Sequence, residues 1–209
     1  MKPSLARPES KNQSGNNTTY KKIAGVRTRN GPFHGVEAWF SGYNLDIGKD
    51  QASYSQIYIG SGSNNQVNFI SAGFMINPGF FPDGRIWSYG FWKGKDGKGC
   101  YNTACSGFVQ VSKEIPIVQP IDNLKPGEST WWHSGANMVG VGGVVQASRS
   151  GSSPPMGNGN FPENKFPVTH PKRSAIFTNI EVLNYHYERP SSLGFYFNYG
   201  GPGGNSCGI

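Results

Sequence analysis

From Gly35 onward, apolar side chains fall at every second position in short runs, as in Tyr54-Ser55-Gln56-Ile57-Tyr58-Ile59 and Trp87-Ser88-Tyr89-Gly90-Phe91. A period of two places alternate side chains on opposite faces of a strand. Turn dipeptides separate the runs: Pro78-Gly79, Asp83-Gly84, Asp96-Gly97, Pro126-Gly127 and Asn158-Gly159. Strands are expected at 36–43, 54–60, 66–76, 85–92, 106–111, 114–119, 138–147, 175–185 and 193–199. No segment shows convincing helical periodicity. Such a chain is all-β, an antiparallel sandwich or barrel, because each sheet must bury one face against a second layer. Residues 149–173, rich in proline, read as a long surface connection.

Composition agrees with that pattern. The 209 residues suit one domain with a tail, and 30 glycines with 13 % aromatics favour tight turns and pleated surfaces over helices. The net charge of +7 would suggest an anionic partner, but it is concentrated at one end. Lys2, Arg7, Lys11, Lys21, Lys22, Arg27 and Arg29 stand against the single acid Glu9, so residues 1–30 read as a flexible basic arm and 31–209 as a nearly neutral body. That distribution argues against nucleic acid, whose binding needs many phosphate contacts. No apolar run is long enough for a membrane span, and Met1-Lys2-Pro3 does not open a leader peptide. Sequons begin at Asn12, Asn16 and Asn17.

Few motifs suggest chemistry. Cys100 and Cys105 are spaced for a small disulfide-closed turn; His34, His133, His170 and His186 lack ligand spacing, so neither a metal nor a cofactor is expected. Gly60-Ser61-Gly62 and Gly140-Val141-Gly142-Gly143 lack the context of a phosphate loop, and no serine sits in a nucleophile elbow. Trp131-Trp132 and the Trp87, Tyr89, Phe91 alternation offer a sugar or peptide platform, although period-two aromatics more often build a core.

Six motifs in order resemble the neprosin family: Ser55-Gln56-Ile57-Tyr58-Ile59; Ile70-Ser71-Ala72-Gly73-Phe74; Gly99-Cys100-Tyr101-Asn102 with Cys105-Ser106-Gly107-Phe108-Val109-Gln110; Gly142-Gly143-Val144-Val145; Met156-Gly157-Asn158-Gly159-Asn160-Phe161-Pro162; and Tyr199-Gly200-Gly201-Pro202-Gly203 with Cys207. The resemblance implies an antiparallel β-sandwich of two packed sheets, an extracellular location in plants, and a peptidase that cleaves after proline with paired glutamates. Two carboxyl groups sharing a water must differ in protonation, one acting as base and the other as acid. By the resemblance those glutamates fall at Ser71 and Val144, and neither side chain can replace a carboxylate.

The resulting expectation is a secreted, catalytically silent relative. Its cleft has Ser71 and Val144 in the floor and Phe74, Trp87 and Tyr89 as aromatic contacts for an extended or Pro-rich polypeptide. Alternatives are an acid-active endopeptidase with relocated carboxylates, drawn from Asp83, Glu114, Glu128 and Glu181, and a binder of cell-wall carbohydrate. The family's middle region is compressed here into residues 129–138. Its upstream cysteine has no counterpart in residues 188–193, which leaves Cys207 odd.

Overall fold

The computed structural model describes residues 21–63, 66–104, 108–110, 116–121, 129–148, 150–162, 174–183 and 195–205. They form strands β1 (Lys21–Phe40), β2 (Ala52–Ser63), β3 (Gln66–Ile76), β4 (Trp87–Lys93), β5 (Gly99–Tyr101), β6 (Ser129–Gln146), β7 (Ala175–Leu183) and β8 (Phe195–Tyr199). The order of hydrogen-bonded neighbours is β5-β4-β3-β2-β6-β1-β7-β8, and all the pairings are antiparallel.

This continuous ladder makes two packed layers because β1 and β6 are long enough to serve in both. The β1–β6 register shifts between Arg29 and Phe33 and again before Gly35, and such irregularities bend a strand pair. Before the bend, β1 and β6 extend the β5-β4-β3-β2 layer; after it, β1 pairs with β7 from Gly35 to Phe40. Facing residues confirm that the layers stack. Phe40 of β1 lies 4.8 Å from Phe74 of β3, ring centre to ring centre, although two strands separate β1 from β3 in the ladder.

The core follows strand alternation. Ile57 and Ile59 of β2, Val139 and Val141 of β6, Val36, Ala38 and Phe40 of β1, and Ala175, Phe177 and Tyr199 of β7 and β8 form one buried cluster. Their burial is the driving force that holds the two layers together. The fold is therefore the expected all-β sandwich.

Several boundaries differ from the expectations. Residues 21–30, assigned to the basic arm, belong to β1; Ala24 and Val26 pack against the core, a signal hidden by Lys21, Lys22, Arg27 and Arg29. Residues 1–20 lie outside the described residues. The strand expected at 138–147 starts at Ser129, since β1 offers a paired backbone as far as Trp39. In the two runs expected at 106–119, the described residues 108–110 and 116–119 are not strand; Pro116 and Pro120 lack the N–H that a ladder needs, and only a bridge from Pro120 to Trp87 remains there. The described part of 149–173 is a connection, but a half-buried one, tied to the C-terminal segment by bridges Ser153–Gly204 and Met156–Gly201.

Candidate functional site

Ser71 of β3 pairs with Tyr58 of β2, and Val144 of β6 pairs with Tyr54 of β2. Residues 54 and 58 share strand parity, so Ser71, Val144 and both tyrosines occupy one face, opposite to the core-facing Ile57 and Ile59. This is the outer face of the first layer. It brings the two positions that the motifs assign to catalysis onto one surface, with Gln56 between the flanking tyrosines.

The surroundings of each position suit its residue. Ser71 is 2 % exposed, and its side chain hydrogen-bonds the Tyr89 phenol. Tyr89 in turn donates to Gln56 Oε1 at 2.5 Å. Burial pushes the Tyr89 phenol well above its usual value, and the Ser71 bond offsets only part of that shift. Val144 belongs to an apolar cluster with Ala52, Tyr54, Met75 and Tyr89, against which Phe81, Phe91 and Tyr101 pack. Tyr54 meets Tyr89 edge-on at 5.4 Å and stacks with Tyr101 at 6.5 Å.

The loop from Asn77 to Ile86 rims this face. Asn77 Oδ1 accepts from the Gly79 and Phe80 amides at 3.1 and 3.2 Å, and its Nδ2 donates to the Tyr54 hydroxyl at 3.3 Å. Phe81 stacks on Trp87 at 4.2 Å with ring planes 6° apart. Asp83 accepts from Trp87 Nε1 at 3.0 Å and from Arg85 Nε at 2.9 Å. These bonds, that of Trp87 first, hold the Asp83 carboxyl below its usual value. Phe80, half exposed, approaches Tyr101 at 5.3 Å.

Of the three expected aromatic contacts, the structure places Trp87 and Tyr89 on the outer face and Phe74 elsewhere. Phe74 differs in parity from Ser71, and it packs into the interior against Phe40. The Trp131 and Trp132 side chains lie outside the described parts, as does Cys105; Cys100 is buried on β5.

Asp83 serves the rim, Glu114 and Glu128 lie outside the described residues, and Glu181 of β7 pairs with Glu37 of β1 in the second layer. Glu37 alternates with the core residues Val36 and Ala38, so that pair faces away from the interior of the sandwich. Among the described residues no carboxylate stands on β2 to β6, and no group of His, Cys, Asp and Glu could hold a metal. No helix among them is long and apolar enough to cross a membrane.

A small void of about 10 Å³, bordered by Tyr43, Ser53, Ser55 and Ile86, lies on the interior side and has room for a water rather than a substrate. The outer face thus offers hydrogen-bond donors and ring surfaces. Gln56, Tyr54, Tyr58 and Tyr101 were not singled out from sequence, although strict alternation through residues 52–60 already sets Gln56 between the tyrosines.

A family model described as Neprosin matches residues 49–133 and 128–198. The two matched segments meet at 128–133, inside the stretch that the motif order marks as compressed and that the structure forms as the start of the single strand β6. Together they take in most of the chain, including β2, β3, β4, β5 and β6 and the positions Ser71 and Val144. The chain belongs to the Neprosin family.

Proposed function

We propose that this protein is a secreted, catalytically silent neprosin whose outer face binds an extended or Pro-rich polypeptide. The observation that carries the reading is the chemistry of the two substituted positions. The buried Ser71 hydroxyl is engaged by Tyr89, and Val144 is packed among apolar side chains. The Tyr89 phenol stays protonated at neutral pH, so it is no base for Ser71. What remains suits binding: aromatic surfaces of Tyr54, Tyr101, Phe80 and Trp87 beside polar groups, with the rim carboxylate Asp83 already bonded to Trp87 and Arg85. A disulfide between Cys100 and Cys105, closing the turn after β5, belongs to the same reading, and secretion accords with it.

The test is incubation of purified protein with proline-containing peptides from acid to neutral pH, with mass spectrometry for cleavage and calorimetry for binding. Binding without cleavage is the expected result. Cuts after proline would replace this reading with the peptidase alternative, for which the cross-strand Glu37–Glu181 pair is the first place to look. Glycan binding without peptide binding would favour the carbohydrate module.

A further inference from the structure

Part of the basic end of the chain is built into the sandwich by β1. Ala24 and Val26 pack toward the core, so the alternate positions Lys21, Ile23, Gly25 and Arg27 belong to the outer face. Lys21 and Ile23 are exposed there. Met75 and Tyr89 on β3 and β4 are buried instead, with Phe81, Phe91 and Tyr101 packed against them. The accessible part of the face is therefore its β1 side.

Arg27 stands in one register row with Gly140 of β6 and Tyr58 of β2. Gly140 carries no side chain, and the Tyr58 ring leans over it: a Cβ there would come within 2.5 Å of both Cζ and the hydroxyl oxygen. The phenol end of Tyr58 thus points toward β1. Behind it the rings continue across the face, Phe69 at 5.4 Å from Tyr58, Phe91 at 6.4 Å from Phe69, and Tyr101 at 4.6 Å from Phe91.

Arg27 is partly buried, and its guanidinium has no hydrogen bond, ion pair or ring contact among the described residues. A guanidinium holds five donors in a fork that matches a carboxylate. None of β2 to β6 supplies one, and Glu37, the acid of β1, lies past the bend in the second layer.

We propose that Arg27 is the anion-docking residue of this face: the extended peptide bound there carries an acidic residue whose carboxylate pairs with the guanidinium, while an adjoining residue packs on the Tyr58 ring. The inference rests on the peptide-binding reading and names the kind of peptide. Lys21 on the same strand adds to the attraction. Partial burial beside a ring strengthens the pair over one that is freely solvated.

Calorimetry with a capped proline pentapeptide bearing a central glutamate, and with its glutamine counterpart, tests this. The wild type is expected to bind the glutamate peptide about tenfold more tightly, as for a charge-assisted hydrogen bond, and the advantage should shrink as salt is raised. In Arg27→Gln it should vanish. Equal wild-type affinities would overturn the inference, and so would a preference for glutamate that survives in a folded Arg27→Gln protein. If neither peptide binds, the peptide reading fails, and acetate decides the rest with 15N-labelled protein. A saturable shift of the Arg27 Nε signal, identified by its loss in Arg27→Gln, supports the docking role; a signal no different from that in chloride of equal ionic strength overturns it.

Discussion

Ser55 Oγ lies 2.8 Å from the Tyr199 hydroxyl, a buried hydrogen bond between β2 in one layer and β8 in the other. The Tyr199 phenol also meets Tyr43, whose hydroxyl is 3.3 Å from Ser53 Oγ. A polar chain thus pins the two layers inside an otherwise apolar core. Tyr199→Phe leaves the ring in place and removes one partner of a buried bond. It should cost about 1–3 kcal/mol of unfolding free energy, read as a lower urea midpoint at unchanged slope.

Gly143 lies beneath the same ring. A Cβ there would overlap Tyr199 and come 2.9 Å from the Met156 sulfur. Gly143→Ala should therefore destabilise by about 1–3 kcal/mol through overpacking. The double variant Gly143→Ala/Tyr199→Leu should lose less than the sum of its single changes, a coupling that a double-mutant cycle would measure.

Placing carboxylates at Ser71 and Val144 tests the proposed catalytic silence. In Ser71→Glu/Val144→Glu both new carboxyls occupy buried positions, where desolvation raises their pKa above the unfolded value of about 4.3. The folded state then retains protons that the unfolded state releases. Stability is highest below the unfolded value and falls as pH rises from there through the folded value. The urea midpoint of the double variant should thus be higher at pH 4 than at pH 7 relative to wild type, and cleavage after proline should appear only at the acidic end.

The tyrosines give a second pH prediction. Burial raises the pKa of Tyr43, Tyr54, Tyr89, Tyr101 and Tyr199. Their unfolded counterparts ionise near the ordinary value of about 10, so above that pH the unfolded chain binds fewer protons and stability falls as pH rises. Absorbance titration should show these five phenols ionising together with alkaline unfolding.

The proposed Cys100–Cys105 pairing is checked by non-reducing peptide mapping, which should recover the two cysteines in one linked fragment. Replacing both by serine should cost about 2 kcal/mol, the loop-closure value for so short a ring. Recovery of Cys207 linked to either one would refute the pairing.

Alternation made most of the fold legible. The even and odd positions of residues 54–60 and 66–76 separate the outer face from the core, and β2 and β3 stand where that pattern places them. The same rule, applied strictly, assigns Phe74 to the core, because it is out of phase with Ser71. The first half of β1 was obscured for another reason: its outer positions carry charge, and only Ala24 and Val26 mark the buried side. Motif order singled out Ser71 and Val144, but that they share one face with Tyr54 and Tyr58 is an adjacency that exists only once the register is formed.

The place of β1 in both layers also governs when the protein can fold. Lys21 pairs with Gln146, and Phe40 with Phe177. β1 therefore has no ladder until β6, whose pairing begins at Trp39 with Ser129, roughly 90 residues further on, has been made. At about 5–20 residues per second, that is a wait of several seconds or longer. During it Ala24, Val26 and Val36 lack their β6 and β7 neighbours, and closure then requires contacts between segments far apart in the chain, a topology that folds slowly.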